Sequence, residues 1–379
     1  MKIPLVDVVQ QYRLLKKDMD AKIKEVIKSG QFVLGPHVEN FEKKVATYLG
    51  VPHAVGVASC SDALLLGLMA LGIREGDEVI TTSYSFFATV EAILRLRAVP
   101  VFVDIDPQSY TLDVTQIEAK VTRKTKAILP VHLFGQSASM KEIREIASRH
   151  HLKVVEDLAQ ALGGRYQGKL AGTFGDVACL SFFPTKNLSG FGDGGMLVTP
   201  HPEIADQVKR LRVHGARTKG FHETLGMNSR LDALQAAILT IKLPYLNRWN
   251  GERRKIAEMY RKSLSGKGVV LPPLLHDREH VFHQFVILSE KRDALREHLA
   301  QAGIETGVFY PKPLHVQEPC RALGYQEGDF PVSEKLSRAS LALPIYPGLS
   351  KEKLRYISEK ITAFLSHSGK SRMRGSSRG

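Results

Sequence analysis

The sequence predicts an α/β fold with a large, mostly parallel sheet and helices on both of its faces, followed along the chain by a smaller α+β region. Short apolar strands alternate with helical patterns over the first two-thirds of the chain, which is typical of such sheets. After Leu231 the pattern changes to long helical stretches. A chain of 379 residues, 43% of them hydrophobic, is large enough for two domains.

The elements of the first region follow from apolar runs bounded by polar and turn residues. Strands are expected over 54–58, 78–82, 101–104, 127–132, 152–156, 177–182 and 196–199, and helices over 62–71, 85–96 and 140–149. Ser61 or Asp62 is expected near the N-cap of the first of these helices. Ligands of such sheets bind beyond the carboxyl ends of the strands, so the site is expected there.

The second region begins with helical patterns over 231–243 and 249–264 and is interrupted by Pro272-Pro273. A strand over 282–288 and helices over 292–302 and 354–365 follow. We therefore expect a large domain over residues 1–245 and a small one over 246–368. The Gly/Ser/Arg-rich segment 369–379 is expected to be a disordered basic tail.

Composition narrows the functional classes. The formal net charge of +14 suits anionic substrates, whereas the scattered basic residues, without a basic stripe or helix-turn-helix, disfavour nucleic-acid binding. No apolar run approaches the roughly 20 residues that a membrane helix needs, and the N-terminus lacks a signal-peptide core. Three widely spaced cysteines and scattered histidines indicate neither disulfides nor a metal site, so a cytoplasmic protein is expected.

Lys186 is the most informative residue. It follows the apolar strand 177–182 and precedes the glycine-rich run 190–195. An amine presented there suits an aldehyde cofactor such as pyridoxal 5'-phosphate (PLP), which needs one lysine for a Schiff base. The glycine-rich run precedes a strand instead of linking a strand to a helix, which excludes a nicotinamide-binding fingerprint.

Other residues admit two interpretations each. Asp157 ends an apolar strand, where it either pairs with a pyridine nitrogen or serves as a helix cap or surface ion pair. The segment 59–64 joins a strand to a helix, where backbone N–H groups bind a phosphate or are simply capped, and Ser181 can add a hydroxyl. Phe86 either stacks on a cofactor ring or packs in the core.

Nine motifs in the right order carry a resemblance that extends from about residue 3 to residue 365. They are GQFVLGPHVENFEKKVA, SDALLLGLMALGI, GDEVITTSYSFFATVEAI, PVFVDIDPQSYTLD, KAILPVHLFGQ, VVEDLAQA, SFFPTKNLSGFGDGGMLVT, GMNSRLDALQAAIL, and YPKPLHVQ with LPIYPGLS. The chain resembles the DegT/DnrJ/EryC1/StrS family of PLP-dependent aminotransferases. This resemblance implies the aspartate-aminotransferase-like fold, fold type I of PLP-dependent transferases.

The resemblance also implies roles. Lys186 would hold PLP as an internal aldimine and move the proton during transamination through PLP and its pyridoxamine form (PMP). The implied cofactor contacts are Asp157 to the pyridine nitrogen, Gln160 beside the ring, Phe86 stacked on it, and Cys60, Ser61 and Ser181 at the phosphate. Asn228 would reach the neighbouring subunit's cofactor, which implies a homodimer with shared sites. His214, Arg230, Tyr310 and His315 are implied to lie near the substrate.

The family's patterns point to a substrate class. Lys186 is kept, whereas family members that have become dehydratases carry histidine there, so the resemblance implies a transaminase with glutamate as donor. The form Asn228-Ser229-Arg230 is more like enzymes that aminate 3-keto nucleotide sugars than the Asn-Tyr-Arg of 4-keto enzymes. A 4-keto sugar, an aminocyclitol, or a PLP-binding regulatory role remains open. Cys60-Ser61 replaces the family's frequent Gly-Thr, which restricts backbone approach to the phosphate.

Overall fold

A computed structural model describes residues 2–218 and 220–373, with side chains described up to residue 366. The helices are α1 (Gln10–Ser29), α2 (Pro36–Leu49), α3 (Cys60–Ala70), α4 (Ala88–Arg95), α5 (Met140–Arg149), α6 (Pro202–Leu211), α7 (Ala233–Lys242), α8 (Leu246–Leu264), α9 (Arg292–Gln301), α10 (Pro331–Ala339) and α11 (Lys351–Met373). The strands are β1 (His53–Val57), β2 (Glu78–Thr82), β3 (Val99–Val103), β4 (Thr125–Leu129), β5 (Lys153–Asp157), β6 (Arg165–Tyr166), β7 (Lys169–Leu170), β8 (Val177–Ser181), β9 (Gly195–Thr199), β10 (Ala216–Thr218), β11 (Phe221–His222), β12 (Arg278–Glu279), β13 (Phe285–Leu288) and β14 (Ser340–Leu343).

The main sheet has seven strands in the order β1-β9-β8-β5-β4-β2-β3. The ladders that join β3, β2, β4, β5 and β8 are parallel, whereas β9 is antiparallel to both of its neighbours. All strands except β9 therefore end at one edge of the sheet, where β9 begins. This arrangement confirms the predicted α/β fold with a large, mostly parallel sheet.

Alternation along the strands explains why both faces carry helices. On β8, Cys179 packs with α3 residues such as Leu64, whereas its neighbour Leu180 packs on the opposite face with Phe41 of α2 and Leu239 of α7. Because successive side chains of a strand point to opposite faces, an unbroken apolar strand such as β8 must be covered on both sides.

A second apolar core lies around the antiparallel pair β13–β14. Helices α8, α9 and α11 pack on it, and Ile3 from the N-terminus joins the same cluster. Ile3 also forms a parallel bridge with Ile304, so the start of the chain is fixed to its last third. The division near residue 245 stays a prediction.

Most element predictions agree with the structure to within a few residues, and the strand 78–82 and the helix 140–149 match in full. The N-cap of α3 was predicted wrongly, because Ser59 is the cap and its side chain accepts a hydrogen bond from the backbone N of Asp62 at 3.1 Å. Helices α1, α2, α6 and α10 were not predicted. Helix α11 extends to Met373, into the segment expected to be disordered, and residues 374–379 lie outside the described part.

Neither a membrane-spanning helix nor a metal site is found in the described part of the chain. Within residues 2–218 and 220–373, no helix combines the length and apolarity needed to cross a membrane. The same residues bring together no group of three or more His, Cys, Asp or Glu side chains suited to a metal ion.

A buried ion pair ties α2 to the sheet and to the end of α6. Nη1 of Arg212 lies 2.6 Å from Oε1 of Glu42 and donates to the Gly56 carbonyl at 2.7 Å. The Gly56 N–H donates to the same carboxylate oxygen at 2.7 Å. Both charged residues are only 8% exposed, so neither charge has water as an alternative partner.

We expect Glu42→Gln to lower the free energy of unfolding by about 3–5 kcal/mol, because it leaves the Arg212 charge buried without a counter-ion. Urea unfolding followed by far-ultraviolet circular dichroism measures the loss. Glu39→Gln, an exposed change on the same helix, is the control and should cost less than about 1 kcal/mol. Equal losses in the two variants would contradict the role given to the buried pair.

Candidate active site

A cavity of about 650 Å³ opens at the edge where the strands of the main sheet end. Loops that follow β1, β2, β5 and β8 line one side of it, and residues from the β13–β14 region line another. Eight of the residues expected in the site line this cavity: Cys60, Ser61, Phe86, Asp157, Gln160, Ser181, Lys186 and Tyr310. The cavity thus lies beyond the carboxyl ends of the strands, where the site was expected.

Asp157 ends β5, the central strand of the sheet, and is 5% exposed. Its Oδ2 accepts a hydrogen bond from the Thr89 hydroxyl at 2.9 Å, and its Oδ1 accepts one from the Ala159 N–H at 3.1 Å. Burial raises the pKa of the Asp157 carboxyl, while these two donors and the nearby charge of Lys186 oppose the rise. The site thus holds a carboxylate that would gain from a cationic partner in the cavity.

Lys186 follows β8 in a turn closed by a hydrogen bond from its own N–H to the Phe183 carbonyl at 2.8 Å. Burial lowers the pKa of its amine, and the nearby Cys60 and Asp157 oppose that shift. Depression of the pKa increases the fraction of neutral amine, the nucleophilic form. The amine is therefore placed in the same cavity as the carboxylate and favoured in the reactive form.

The loop between β1 and α3 presents the start of a helix to the cavity. Ser59, Cys60 and Ser61 all line it, and N–H groups at a helix start suit an anion. Gly195 makes this position possible, because a Cβ there would lie 2.2 Å from the carbonyl carbon of Ser59. Burial raises the pKa of the Cys60 thiol well above its usual value, so this residue contributes bulk and a backbone amide instead of a thiolate.

Gln160 connects the carboxyl edge of the sheet to the last third of the chain. Its Oε1 accepts from the Phe134 N–H at 2.8 Å, and its Nε2 donates to the Tyr310 hydroxyl at 3.1 Å. The backbone of Tyr310 is held in turn, because its N–H donates to the Tyr84 hydroxyl at 2.6 Å. Burial raises the pKa of the Tyr310 hydroxyl, which keeps it protonated and able to donate.

Two aromatic side chains lie at the cavity wall with much of their surface exposed. Phe86 is 57% exposed and Phe183 48% exposed, both unusual for phenylalanine. The Phe86 ring centroid lies 6.1 Å from that of Tyr310. Core packing of Phe86 is thus excluded, and a ring placed in the cavity would cover part of it.

Four expected residues do not line the cavity in this chain. Asn228 and His214 are exposed, Arg230 is half-buried, and all three lie on the segment around the β10–β11 hairpin. His315 corrects an expectation, because its side chain is fully buried with Nε2 3.3 Å from Oε1 of Glu334. Enclosed in this way, His315 cannot face a substrate.

The sequence analysis missed several residues of the site. Thr89 was hidden inside a helical pattern, and His283 and Gln284 lie in a run taken as an ordinary strand. The signal available for the last two was a polar pair that interrupts an otherwise apolar run, Val-Phe-His-Gln-Phe-Val-Ile. Leu5 and Val6 also line the cavity, which no local pattern indicates.

The chain is similar to known proteins over nearly its whole length. A "pleiotropic regulatory protein" of Geobacillus stearothermophilus is 48% identical over 97% of this chain and 100% of the relative. The dTDP-3-amino-3,4,6-trideoxy-alpha-D-glucose transaminase of Streptomyces venezuelae is 44% identical over 92% of this chain and 93% of the relative.

A solved structure is similarly close. The crystal structure of S. venezuelae DesV in complex with a ketimine intermediate superposes with a TM-score of 0.94 at 43% identity, covering 96% of this chain and 98% of that one. Residues 13–362 match the DegT/DnrJ/EryC1/StrS aminotransferase family, which is nearly the whole chain. The protein therefore belongs to the DegT/DnrJ/EryC1/StrS aminotransferase family.

Proposed function

We propose that this protein is a PLP-dependent aminotransferase that converts a keto nucleotide sugar, of the 3-keto class, to the amino sugar with glutamate as the donor. The observation that carries the proposal is the pair formed by Lys186 and Asp157, a half-buried amine and a buried carboxylate that line one cavity. An aldehyde cofactor with a basic ring nitrogen needs both groups.

The residues around the cavity fit PLP. The raised pKa of Asp157 reflects the cost of burying its charge, and a protonated pyridine nitrogen would offset that cost. The helix start at Ser59 to Ser61, with Ser181 nearby, offers N–H and hydroxyl donors to a phosphate. Phe86 offers an exposed aromatic face to the ring, and Gln160 lies beside it.

Bound PLP supplies an electron sink that stabilises negative charge on the carbon losing a proton. Lys186 would hold the cofactor through Nζ and, as a free amine, would move a proton at the same atom. Its depressed pKa supports that task, because the free amine must be neutral to accept the proton. Asp157 would pair with the ring nitrogen and favour its protonated form.

The 3-keto class is favoured by sequence and by relatives. The motif Asn228-Ser229-Arg230 resembles that of enzymes acting at C3. One relative at 42% identity is named as a 3-aminotransferase of a 3-dehydro sugar nucleotide, and another at 41% is named for a 3-amino sugar nucleotide. A 4-keto sugar or an aminocyclitol is the alternative. Assays with glutamate against matched 3-keto and 4-keto nucleotide sugars decide between them, since release of 2-oxoglutarate beyond the amount that converts the bound PLP to PMP should occur only with the accepted class.

We further propose a cytoplasmic homodimer in which each site uses both chains. The β10–β11 hairpin region carries Phe221 and Leu225, which are 72% and 84% exposed and need covering. Asn228 lies on the same exposed segment and would reach the partner's cofactor phosphate, with Arg230 and His214 near the partner's substrate.

A PLP-binding regulator is the second candidate, because two relatives carry regulatory names. The cavity favours catalysis, since a sensor would not need an amine whose pKa is lowered beside the cofactor site. Release of 2-oxoglutarate from glutamate in proportion to amino sugar formed supports the enzyme, and its absence with every keto substrate supports the regulator.

Lys186→Ala should abolish turnover and remove the absorbance band at roughly 410–430 nm that lysine-bound PLP gives. Steady-state assays and absorbance spectra of the purified variant measure both effects. Lys209→Ala, at an exposed position on α6, is the control and should change neither. Normal turnover by the Lys186 variant would refute the assignment.

Mixed dimers test the sharing of sites. Lys186→Ala and Asn228→Leu should each be strongly impaired, yet random re-association of equal amounts should restore about a quarter of wild-type activity, because half of the dimers then contain one intact site of two. Activity after unfolding and refolding the mixture, compared with each variant refolded alone, gives the answer. A mixture no more active than its parts would argue against shared sites.

Thr89→Val should weaken PLP binding about tenfold, because loss of the hydroxyl donor raises the pKa of Asp157 and weakens its pairing with the ring nitrogen. Fluorescence titration of the cofactor-free protein measures the dissociation constant. Thr81→Val is the matched control, since that buried hydroxyl donates to the Leu129 carbonyl at 2.8 Å away from the cavity. PLP affinity should fall only in the first variant.

A further inference from the structure

The segment 280–284, here called the strap, crosses from the second core to the cavity and is fixed on several sides. The Val281 N–H donates to the Gly135 carbonyl at 2.9 Å, and the Gln284 N–H donates to the Phe134 carbonyl at 3.2 Å. Phe134 is the residue whose own N–H holds Gln160. The strap is thereby attached to the turn that holds Gln160 in the cavity wall.

The strap is also attached to the lysine loop. Nδ2 of Asn187, the residue after Lys186, donates to the Val281 carbonyl at 3.1 Å. Close packing depends on Gly135, which has a φ of +106° and whose Cβ, if present, would lie 2.8 Å from the backbone N of His283. The position of the strap relative to Lys186 is therefore fixed by backbone contacts.

Behind the strap lies a buried cation. Arg253 of α8 is 2% exposed, and its Nη1 donates to the carbonyls of Phe282 at 3.2 Å, His283 at 3.3 Å and Ile345 at 2.8 Å. No carboxylate lies within ion-pair distance of Arg253 in the described part of the chain. This guanidinium is therefore bound by backbone carbonyls and leaves a positive charge next to His283.

His283 is a buried polar group to which the proposed function gives no role. The residue is 6% exposed, its ring lines the cavity with Lys186, and its Nδ1 has no hydrogen-bond partner within residues 2–218 and 220–373. Burial lowers the pKa of His283 well below its usual value, and the charges of Lys186 and Arg253 and the neighbouring His280 lower it further. The imidazole is thus neutral and has a lone pair to offer.

We infer that His283 is a positioning residue for Lys186, and that its imidazole accepts a hydrogen bond from Nζ of Lys186 when that amine, not bound to the cofactor, turns toward the ring from its position in this structure. The flexible lysine side chain needs an acceptor once it is released, and the neutral ring in the same cavity provides one. The catalytic part of this inference rests on the proposed function, whereas the hydrogen bond itself does not.

The sign of the expected effect follows from the charge of the amine. An acceptor stabilises the ammonium form, so its loss should lower the pKa of Lys186 further. The groups that face Lys186 are Cys60 and Asp157, which raise its pKa, and the neutral His283. Because a released lysine must be neutral to accept a proton, the acidic limb of the kcat profile should move to lower pH when the acceptor is removed.

The test compares His283→Leu with His283→Asn, which keeps an acceptor oxygen. In the cofactor-free full-length protein, the rate of acetylation of Lys186 with acetic anhydride, followed by peptide mass spectrometry against pH, gives the pKa of the amine. We expect His283→Leu to lower this pKa and His283→Asn to leave it near the wild-type value. In the loaded enzyme, His283→Leu should lower kcat about tenfold, the scale of one lost hydrogen bond, and shift its acidic limb to lower pH.

His280→Leu is the control for damage to the strap. That histidine is equally buried at 6% exposure and its Nδ1 accepts from the Phe282 N–H at 2.9 Å, yet it does not line the cavity. A pKa of Lys186 that is unchanged in His283→Leu, or shifted equally in His280→Leu or His283→Asn, overturns the inference. If wild-type protein neither turns over nor binds PLP, the proposed function fails, while the acetylation result still decides on the hydrogen bond.

Discussion

The burial of the Asp157 carboxylate is the constraint on which the rest of the site depends. The side chain ends the central strand of a seven-stranded sheet, where water cannot solvate it. Burying an isolated carboxylate costs free energy because its hydration is lost. Hydrogen bonds from the Thr89 hydroxyl and the Ala159 N–H replace part of this hydration, but not all of it. A cationic ring nitrogen would supply the missing interaction and would thereby set the orientation of the proposed cofactor.

Groups from distant parts of the chain must also hold fixed positions around this carboxylate. Gln160 bridges the sheet edge and Tyr310, and the strap joins the lysine loop to the helix that carries Arg253. These contacts are mainly hydrogen bonds to backbone atoms, which fix position more firmly than contacts between flexible side chains. The site is thus built on rigid elements, as catalytic geometry requires.

Local pattern was sufficient for the sheet, because each strand is an apolar run buried on both faces. It failed for α1, whose buried residues Gln11, Leu15, Met19 and Val26 are few among many lysines. The predicted cap of α3 was displaced by two or three residues, because three closely spaced polar residues, Ser59, Ser61 and Asp62, all suit that role.

The residues proposed to hold the cofactor were proposed from the family resemblance, since their positions near strand ends left Asp157 and Phe86 open to two interpretations each. The strap was not predictable, because its meaning comes from contacts with residues about 100 to 150 positions earlier in the chain. His315, in contrast, was assigned a role that the structure contradicts. A motif resemblance suggested a substrate contact, whereas the structure encloses the ring beside Glu334.

The attachment of the first residues to the last third of the chain has a consequence for biosynthesis. Ile3 pairs with Ile304, and Leu5 and Val6 form cavity wall together with residues near 308 and 345. At roughly 5–20 residues per second of translation, the N-terminal segment waits about 15–60 s for its partners to emerge from the ribosome. During that interval the sheet can form while its ligand pocket stays incomplete, so the wall of the pocket closes only when the chain is nearly finished.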